Sequence, residues 1–225
     1  MRDQTIACIE RERIIAILRG VTGERCIQTA EALYQGGIRL MEITFSQKEP
    51  GGGRETAAAI ASVSRAYQGR MLIGAGTVAT IEQAELAAEA GAKYIISPDF
   101  NPEVIRRTRE LGIVSIPGAA TPTEILAAHR AGADFVKLFP AAALGCGYLK
   151  AVRAPLGHVK LLAVGGVDEE NVAGFLQAGA AGAGVGGNLA NRQWIEAGAF
   201  EKIAGAARRL TEAVQSASLG KGGTA

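Results

Sequence analysis

The sequence contains few of the residues that build metal centres and disulfide frameworks. Its 225 residues include only three cysteines and two histidines. The cysteines, Cys8, Cys26 and Cys146, stand far apart and form no CxxC pair. These spacings indicate neither a zinc cage nor a disulfide framework, so no metal site is expected. A reduced, cytoplasmic compartment fits this cysteine usage best.

Excess charge of one sign and long hydrophobic runs are also missing. Lys and Arg total 24 against 22 Asp and Glu, a formal net charge of +2, and neither sign collects into a block. This balance lacks the basic footprint of a protein that binds nucleic acid or a membrane surface. No apolar stretch reaches the roughly 20 residues that span a bilayer, and charges interrupt the N-terminus before a run of signal-peptide length. A protein that is neither exported nor embedded in a membrane is expected.

The sequence does contain a repeated alternation of two kinds of segment. Hydrophobic residues make up 48% of the chain, which is enough for a large core. Stretches with helical spacing separate short β-branched runs, and glycine follows many of the helical stretches, where it ends a helix without steric cost. The predicted strands are eight in number: residues 14–19, 40–45, 71–76, 94–98, 114–119, 135–140, 159–166 and 182–187.

Eight strand and helix units predict a closed barrel. Dividing the chain among eight units leaves about 28 residues for each, enough for a strand, a helix and two short loops. The alternation therefore predicts an α/β fold, a single-domain (β/α)8 TIM barrel over residues 1–215 with a short N-terminal helix. Residues 216–225, rich in Gly, Ser and Lys, are predicted to form a flexible tail. A doubly wound open sheet is the alternative, although no GxGxxG turn follows the first strand.

Lys137 lies inside a predicted strand, where lysine is uncommon. The alternation of side chains puts Phe135, Lys137 and Phe139 on one face of that strand. Burial between two aromatic rings disfavours the ammonium form and lowers the pKa of the lysine. This supplies the free amine that attacks a carbonyl to form a Schiff base. The alternative is a lysine that pairs with an acidic residue for structural reasons.

Glu42 is expected to share the barrel interior with Lys137. In the second strand Leu40, Glu42 and Thr44 lie on one face. Partial burial brings the pKa of a carboxyl group toward the working pH, so that it can carry protons to and from a Schiff-base intermediate. The alternative is that Glu42 is only the salt-bridge partner of Lys137 or Arg19.

Other strand ends complete the candidate site, because the active sites of such barrels form at the carboxyl ends of the strands. Arg19 offers a planar fork for a substrate carboxylate, or a salt bridge at the rim. Thr77 and Thr121 either contact substrate or only cap helices, and a cap is the better interpretation of Thr121. The glycine-rich turns at 165–166 and 184–188 are typical of backbone phosphate sites, and also of tight turns.

Six motifs occur in an order that resembles the KDPG/KHG aldolase family. They are Glu-Ile-Thr-Phe at 42–45, Gly-Ala-Gly-Thr at 74–77, Ile-Ser-Pro at 96–98, Pro-Gly-Ala-Ala-Thr-Pro-Thr-Glu at 117–124, Lys-Leu-Phe-Pro at 137–140 and Gly-Gly-Val at 165–167. The resemblance covers about residues 14–189. It implies a class I aldolase, on a (β/α)8 barrel and usually a homotrimer, that splits 2-keto-3-deoxy-6-phosphogluconate or 4-hydroxy-2-oxoglutarate into pyruvate and an aldehyde. That chemistry needs no cofactor and no metal.

The resemblance also implies a role for particular residues. Lys137 resembles the Schiff-base lysine, and Glu42 resembles the general acid/base. Arg19 and Thr77 resemble the residues that bind the pyruvate carboxylate. The implied pocket wall consists of Pro98, Thr121 and Phe139, and the implied phosphate site consists of Gly165, Gly166, Gly186, Gly187 and Asn188.

Four residues at three places depart from the family pattern. Some members carry an arginine four residues after the glutamate, where this chain has Ser46, so Arg19 is expected to take over carboxylate binding. Val164 and Asn188 stand where the family often has threonine and serine, which removes two hydroxyls from the phosphate site. Ala142 replaces a common glutamate near the aldehyde half of the substrate.

Two other functions stay open on the sequence alone. One is a phosphate-binding barrel isomerase or synthase that uses Lys137 or Glu42 as an acid or base. The other is a non-catalytic barrel that binds a sugar acid. The expected partner is a small keto-acid substrate, with neither nucleic acid nor membrane.

Overall fold

The computed structural model describes residues 1–48 and 53–219. Within these ranges, nine parallel strands form one sheet: β1 (Ile14–Arg19), β2 (Leu40–Thr44), β3 (Leu72–Gly76), β4 (Tyr94–Ile96), β5 (Val114–Ile116), β6 (Gly118–Ala119), β7 (Val136–Leu138), β8 (Leu161–Val164) and β9 (Gly182–Val185). The strand order is β5-β4-β3-β2-β1-β9-β8-β7-β6. The sheet forms a nearly closed barrel, which confirms the predicted fold class.

The predicted fifth strand is divided into β5 and β6 by Pro117. β5 pairs with β4, and β6 pairs with β7, so this one segment joins the two ends of the sheet. Proline has no N–H to contribute to a ladder. The Pro117 carbonyl still accepts a hydrogen bond of 2.8 Å from the Lys137 N–H. Since β5 and β6 are two halves of one predicted strand, the nine strands correspond to the eight that the sequence predicts.

Helices alternate with the strands and cover the outside of the barrel. In the described part of the chain they are α1 (Arg2–Glu12), α2 (Gly23–Gln35), α3 (Arg54–Ala66), α4 (Ile81–Glu89), α5 (Pro102–Glu110), α6 (Pro122–Arg130), α7 (Ala141–Arg153), α8 (Val172–Gln177), α9 (Arg192–Glu196) and α10 (Phe200–Leu219). No helix within residues 1–48 and 53–219 is both long and apolar enough to cross a membrane. The predicted domain boundary at residue 215 falls inside α10, and the end of the predicted tail, 220–225, lies outside the described residues.

Side chains on each strand alternate between two apolar cores. One core fills the barrel and includes Ile15, Ile17, Leu40, Tyr94, Phe135, Leu162 and Val164. The other lies between the barrel and its helices and includes Met41, Ile43, Val136 and Leu138. The sequence predicted which side chains of β2 and of the β7 segment face the barrel interior, and this division confirms it. Leu40 and Phe135 lie in the interior core, whereas the residues that follow them, Met41 and Val136, lie in the outer core.

The N-terminal helix α1 closes the amino-terminal end of the barrel. Ile9 is fully buried in the interior core, and Ile6 and Cys8 pack against that core. Since α1 leads directly into β1, its apolar side chains cover the ends where the strands begin. Only the opposite end, where the strands finish, is left for a site that substrate can enter.

Candidate active site

Strand register brings the predicted polar residues together at the carboxyl end of the barrel. Arg19 on β1 pairs with Thr44 on β2, and Thr44 pairs with Gly76 on β3. Glu42 lies one inward-facing position below Thr44. The next residue after β3 is Thr77, so three predicted site residues, Arg19, Glu42 and Thr77, come from three adjacent strands.

Lys137 lies in the middle of β7, between Gly118 of β6 and Leu162 of β8. Its exposed fraction is 7%, and its Nζ lies 5.0 Å from the centroid of the Phe139 ring. Burial lowers the pKa of Lys137, the charge of Glu42 opposes that change, and the charge of Arg19 adds to it. The lysine is therefore in the partly desolvated state that favours a free amine.

Glu42 lies on β2 with an exposed fraction of 2%. Burial raises its pKa to about 7, while the charges of Lys137 and Arg19 act in the opposite direction. Its Oε2 atom has no hydrogen-bond partner in the described residues. A carboxyl group with this pKa both accepts and donates protons near neutral pH.

Lys137 and Glu42 influence each other electrostatically, yet they do not form an ion pair. In the described residues neither side chain has an opposite charge within 4.0 Å. The structural alternative, in which Glu42 is simply the salt-bridge partner of Lys137 or Arg19, is therefore not what the structure contains. The two groups face the same interior with their functional atoms uncommitted, as an amine nucleophile and a proton carrier require.

Glycine at position 76 makes room for the Glu42 carboxyl group. A Cβ atom on Gly76 would lie 2.4 Å from Glu42 Oε1 and 2.6 Å from Glu42 Cδ. Both distances are far inside van der Waals contact. The Gly-Ala-Gly-Thr motif thus has a steric reason here: the carboxyl group occupies the space above β3 where a side chain would otherwise stand.

We expect Gly76→Ala to lower the turnover number by about 10²-fold, because a displacement of a catalytic group by about 1 Å has an effect of that size. The Glu42 side chain must move to admit the new methyl group. Steady-state kinetics measures the loss. Gly147→Ala is the matched control, since a Cβ on Gly147 in α7 would meet nothing within 4 Å. Unchanged turnover in Gly76→Ala would show that the position of the carboxyl group is not critical.

Thr77 has an unusual backbone conformation at the end of β3. Its φ is 56°, in the left-handed region that β-branched residues avoid. Such conformations destabilise a fold by about 1 to 3 kcal/mol and cluster at functional sites. Its carbonyl accepts a 2.7 Å hydrogen bond from Gln47 Nε2, which helps to fix the turn. The strained backbone supports Thr77 as a site residue.

Arg19 is the exposed last residue of β1, on the inward face that Ile15 and Ile17 begin. In the described residues it forms no ion pair, so the predicted rim salt bridge is not present there. Its guanidinium group is available at the mouth of the barrel.

The three predicted pocket-wall residues lie at the same end of the barrel. Phe139 is 42% exposed and follows β7. Pro98 follows β4, and its carbonyl oxygen lies so close to Gly118 that a Cβ there would be 2.3 Å away. Thr121 completes a capping box with Glu124 at the start of α6, which confirms the preferred interpretation of Thr121 as a cap. Contact of these residues with substrate stays a prediction.

The predicted phosphate site consists of two loops that follow β8 and β9. In the described part of the chain, the backbone N–H groups of Gly165, Gly166, Gly186, Gly187 and Asn188 donate to no protein acceptor. Five uncommitted donors on adjacent loops can bind an anion. The Asn188 side chain is partly engaged, because its Nδ2 lies 3.5 Å from the Val167 carbonyl oxygen.

Sequence reasoning missed two polar side chains at this site. Gln47 supports Thr77, as described above, and also accepts from Gln83 at 3.4 Å. Tyr94 points into the barrel, and its hydroxyl oxygen is buried without a partner in the described residues. The signal for Tyr94 was a polar tip at an inward position of a short apolar strand, whereas Gln47 lies in a loop without periodicity.

Comparison with known proteins gives one consistent result. The family model described as KDPG and KHG aldolase matches residues 6–206. A 2-dehydro-3-deoxy-6-phosphogalactonate aldolase of Escherichia coli is 39% identical over 177 residues, 78% of this chain and 83% of the relative. A 2-dehydro-3-deoxy-phosphogluconate aldolase of Treponema pallidum is 35% identical over 207 residues, 92% of this chain and 95% of the relative.

A solved structure adds a chemical observation about a relative. The KDPG aldolase of Legionella pneumophila, with pyruvate captured at low pH as a covalent carbinolamine intermediate, superposes on this chain with a TM-score of 0.81. The two are 28% identical, and the match covers 91% of this chain and 97% of the other. A covalent adduct of pyruvate is the first intermediate of Schiff-base chemistry.

Proposed function

The chain belongs to the KDPG and KHG aldolase family and is a class I aldolase, a carbon–carbon lyase; we propose that Lys137 is its Schiff-base lysine and Glu42 its general acid/base. One observation carries this assignment: an amine and a carboxyl group, both buried, face the same end of the barrel without forming an ion pair with each other. An isomerase or synthase would not require the free amine, and a non-catalytic barrel would leave both groups buried without a task.

The reaction begins with the unprotonated Lys137 amine. Its lone pair attacks the C2 ketone of a 2-keto-4-hydroxy acid, and proton transfers convert the adduct to a carbinolamine. Loss of the former ketone oxygen as water then gives a protonated imine. Burial lowers the pKa of Lys137, which increases the fraction of free amine at neutral pH. Glu42, with a pKa of about 7, can supply the proton that leaves with this water.

Cleavage of the C3–C4 bond follows. Removal of the proton of the C4 hydroxyl allows the C–O electrons to form the aldehyde, while the C3–C4 electron pair moves into the protonated imine and leaves an enamine. Glu42 accepts that proton and later returns one to C3, which becomes the methyl group of pyruvate. Addition of water to the imine releases pyruvate and regenerates the Lys137 amine.

Arg19 and Thr77 bind the carboxylate of the keto acid in this proposal. Arg19 offers two parallel N–H donors, and its guanidinium forms no ion pair in the described residues. The side chain of Ser46, where some family members carry arginine, accepts a 3.3 Å hydrogen bond from the Lys48 N–H and forms no other hydrogen bond with the described residues. Arg19 is thus a cation at this end of the barrel that is available for the carboxylate.

The substrates proposed are 2-keto-3-deoxy-6-phosphogluconate or its galactonate epimer, and 4-hydroxy-2-oxoglutarate. The uncommitted backbone donors of the loops after β8 and β9 are proposed to bind the phosphate, when there is one. A panel of phosphorylated and unphosphorylated 2-keto-3-deoxy acids, read by pyruvate release, tests the assignment. Release of pyruvate from none of them would overturn it.

We expect a smaller preference for phosphorylated substrates than in family members that carry both hydroxyls at the phosphate site. The Val164 side chain packs in the apolar interior, and the Asn188 amide is oriented toward a backbone carbonyl. Each missing hydrogen bond to a charged group costs about 1.5 to 3 kcal/mol, so two losses weaken phosphate recognition by about 10² to 10⁴-fold.

The measurement is kcat/KM for a phosphorylated and unphosphorylated pair of substrates. Val164→Thr restores one hydroxyl and is expected to increase the phosphate preference. A preference above about 10⁴-fold in the unmodified protein would show that the backbone donors suffice and that Val164 has no such effect.

The family resemblance also supports a cytoplasmic homotrimer. Size-exclusion chromatography with light scattering tests the trimer, and a monomeric mass would contradict it.

A further inference from the structure

Two buried oxygen atoms inside the barrel have no hydrogen-bond partner in the described residues: Glu42 Oε2 and the hydroxyl oxygen of Tyr94. Both side chains are almost completely buried, Glu42 at 2% and Tyr94 at 0% exposure. Buried polar groups in folded proteins are normally paired with protein atoms or with an ordered water. One ordered water molecule could pair with both of these oxygen atoms, if they lie close enough together.

The strand register places Tyr94 two strands away from Glu42, with only glycine between them. Glu42 pairs with Gly74 on β3, and Ala75 pairs with Ile95, so Gly74 stands beside Tyr94. The Tyr94 ring fills the space above Gly74, where a Cβ atom would lie 2.1 Å from Cε2 and 2.5 Å from Cζ. The ring of Tyr94 therefore leans across β3 in the direction of β2.

The Glu42 carboxyl group leans across the same strand from the other side. It fills the space above Gly76, two residues after Gly74 and on the same face of β3. Alternate residues of a strand are roughly 6.5 Å apart, so the Tyr94 ring and the Glu42 carboxyl group lie above the same short stretch of β3 backbone. In the described residues no direct hydrogen bond joins the phenol to the carboxyl group, so a hydrogen-bonded link between them requires an intervening water molecule.

We propose that Tyr94 is a positioning residue for Glu42, and that its hydroxyl donates to Glu42 Oε2 through one ordered water. This inference rests on the proposed role of Glu42 as general acid/base. The bridge fixes one carboxyl oxygen and stabilises the carboxylate form. The other oxygen is left to exchange protons with substrate.

The groups that face Glu42 differ in how their charge changes during the reaction. Lys137 on β7 becomes an imine, and Arg19 on β1 binds a substrate carboxylate in the proposed mechanism. Tyr94 on β4 stays neutral, because burial, together with the charges of Glu42 and of Cys8 on α1, raises the pKa of its hydroxyl well above the usual value. Tyr94 is therefore a donor whose influence on Glu42 is the same before and after the imine forms.

The test is the pH dependence of turnover in Tyr94→Phe, which removes only the hydroxyl. Loss of a hydrogen bond to the carboxylate form raises the pKa of Glu42, so the acid limb of the kcat profile is expected to move to higher pH by about one unit. We expect KM to change little, and pyruvate with borohydride to modify Lys137 as in the unmodified enzyme.

Tyr67→Phe is the matched control. The Tyr67 hydroxyl donates to Glu31 at 2.6 Å in the helical layer outside the barrel, so its loss is expected to leave the pH profile unchanged. An unshifted acid limb in Tyr94→Phe, together with a higher melting temperature, would overturn the proposal, since that is the behaviour of a buried hydroxyl without a partner. Failure of Glu42 as the acid/base would appear separately, as near-normal turnover in Glu42→Gln.

Discussion

Treatment with pyruvate and borohydride is expected to attach pyruvate irreversibly to Lys137 and to abolish activity. Burial and the nearby Phe139 ring keep this amine poorly hydrated, and its pKa is lowered. The imine forms only from a free amine, and borohydride reduces it to a stable secondary amine. Peptide mass spectrometry locates the adduct, and residual aldolase activity measures its consequence.

Lys160 provides an internal control for this experiment. Its Nζ also lies near a phenylalanine, 5.5 Å from the centroid of the Phe135 ring, but it forms an ion pair of 2.6 Å with Glu10 and is half-exposed. An aromatic neighbour alone therefore does not distinguish Lys137; burial without an ion pair does. Lys137→Met is expected to abolish both labelling and turnover. Labelling of another lysine, or of none, would contradict the assignment of Lys137.

Glu42→Gln is expected to slow turnover by about 10² to 10⁴-fold, the usual contribution of a general acid/base. Glutamine has the same shape and retains a hydrogen-bond acceptor, so we expect the fold and the borohydride labelling of Lys137 to persist. Single-turnover kinetics separates the proton-transfer steps from imine formation. Turnover near that of the unmodified enzyme would assign Glu42 a structural role.

The pKa of Glu42 gives the same variant a second signature. Since burial raises this pKa to about 7, steps that need the carboxylate are expected to lose rate as the pH falls through 7, and this acid limb disappears in Glu42→Gln. The native pKa lies above that of an unfolded glutamate, about 4.3, so burial favours the protonated form. The contribution of protonated Glu42 to the free energy of unfolding is therefore fully present below about pH 4.3, and it is lost as the pH rises through 7. At pH 8 Glu42→Gln is therefore expected to melt at a higher temperature than the unmodified protein.

Local patterns in the sequence determined the alternation of strands and helices and the face on which each strand residue lies. Period-two alternation correctly placed Leu40 and Glu42 inside the barrel and Met41 outside it, because successive side chains of a strand point to opposite faces. The capping box at Thr121 was equally visible, since its residues are three apart in the chain. Lys137 stood out because a lysine in a buried strand contradicts the pattern around it.

Tertiary structure alone decided what these residues have near them. Joining the sheet through Pro117 brings β7 and β2 into one interior, and strand register sets the heights of Lys137 and Glu42. Whether Lys137 and Glu42 form an ion pair depends on the distance between them across the barrel, and the local sequence pattern does not determine that distance. The roles of Gly74 and Gly76 likewise appear only when the Tyr94 ring and the Glu42 carboxyl group are seen above them. The physical reason is that periodicity fixes the direction of each side chain, whereas closure and register of the sheet fix the distances between side chains.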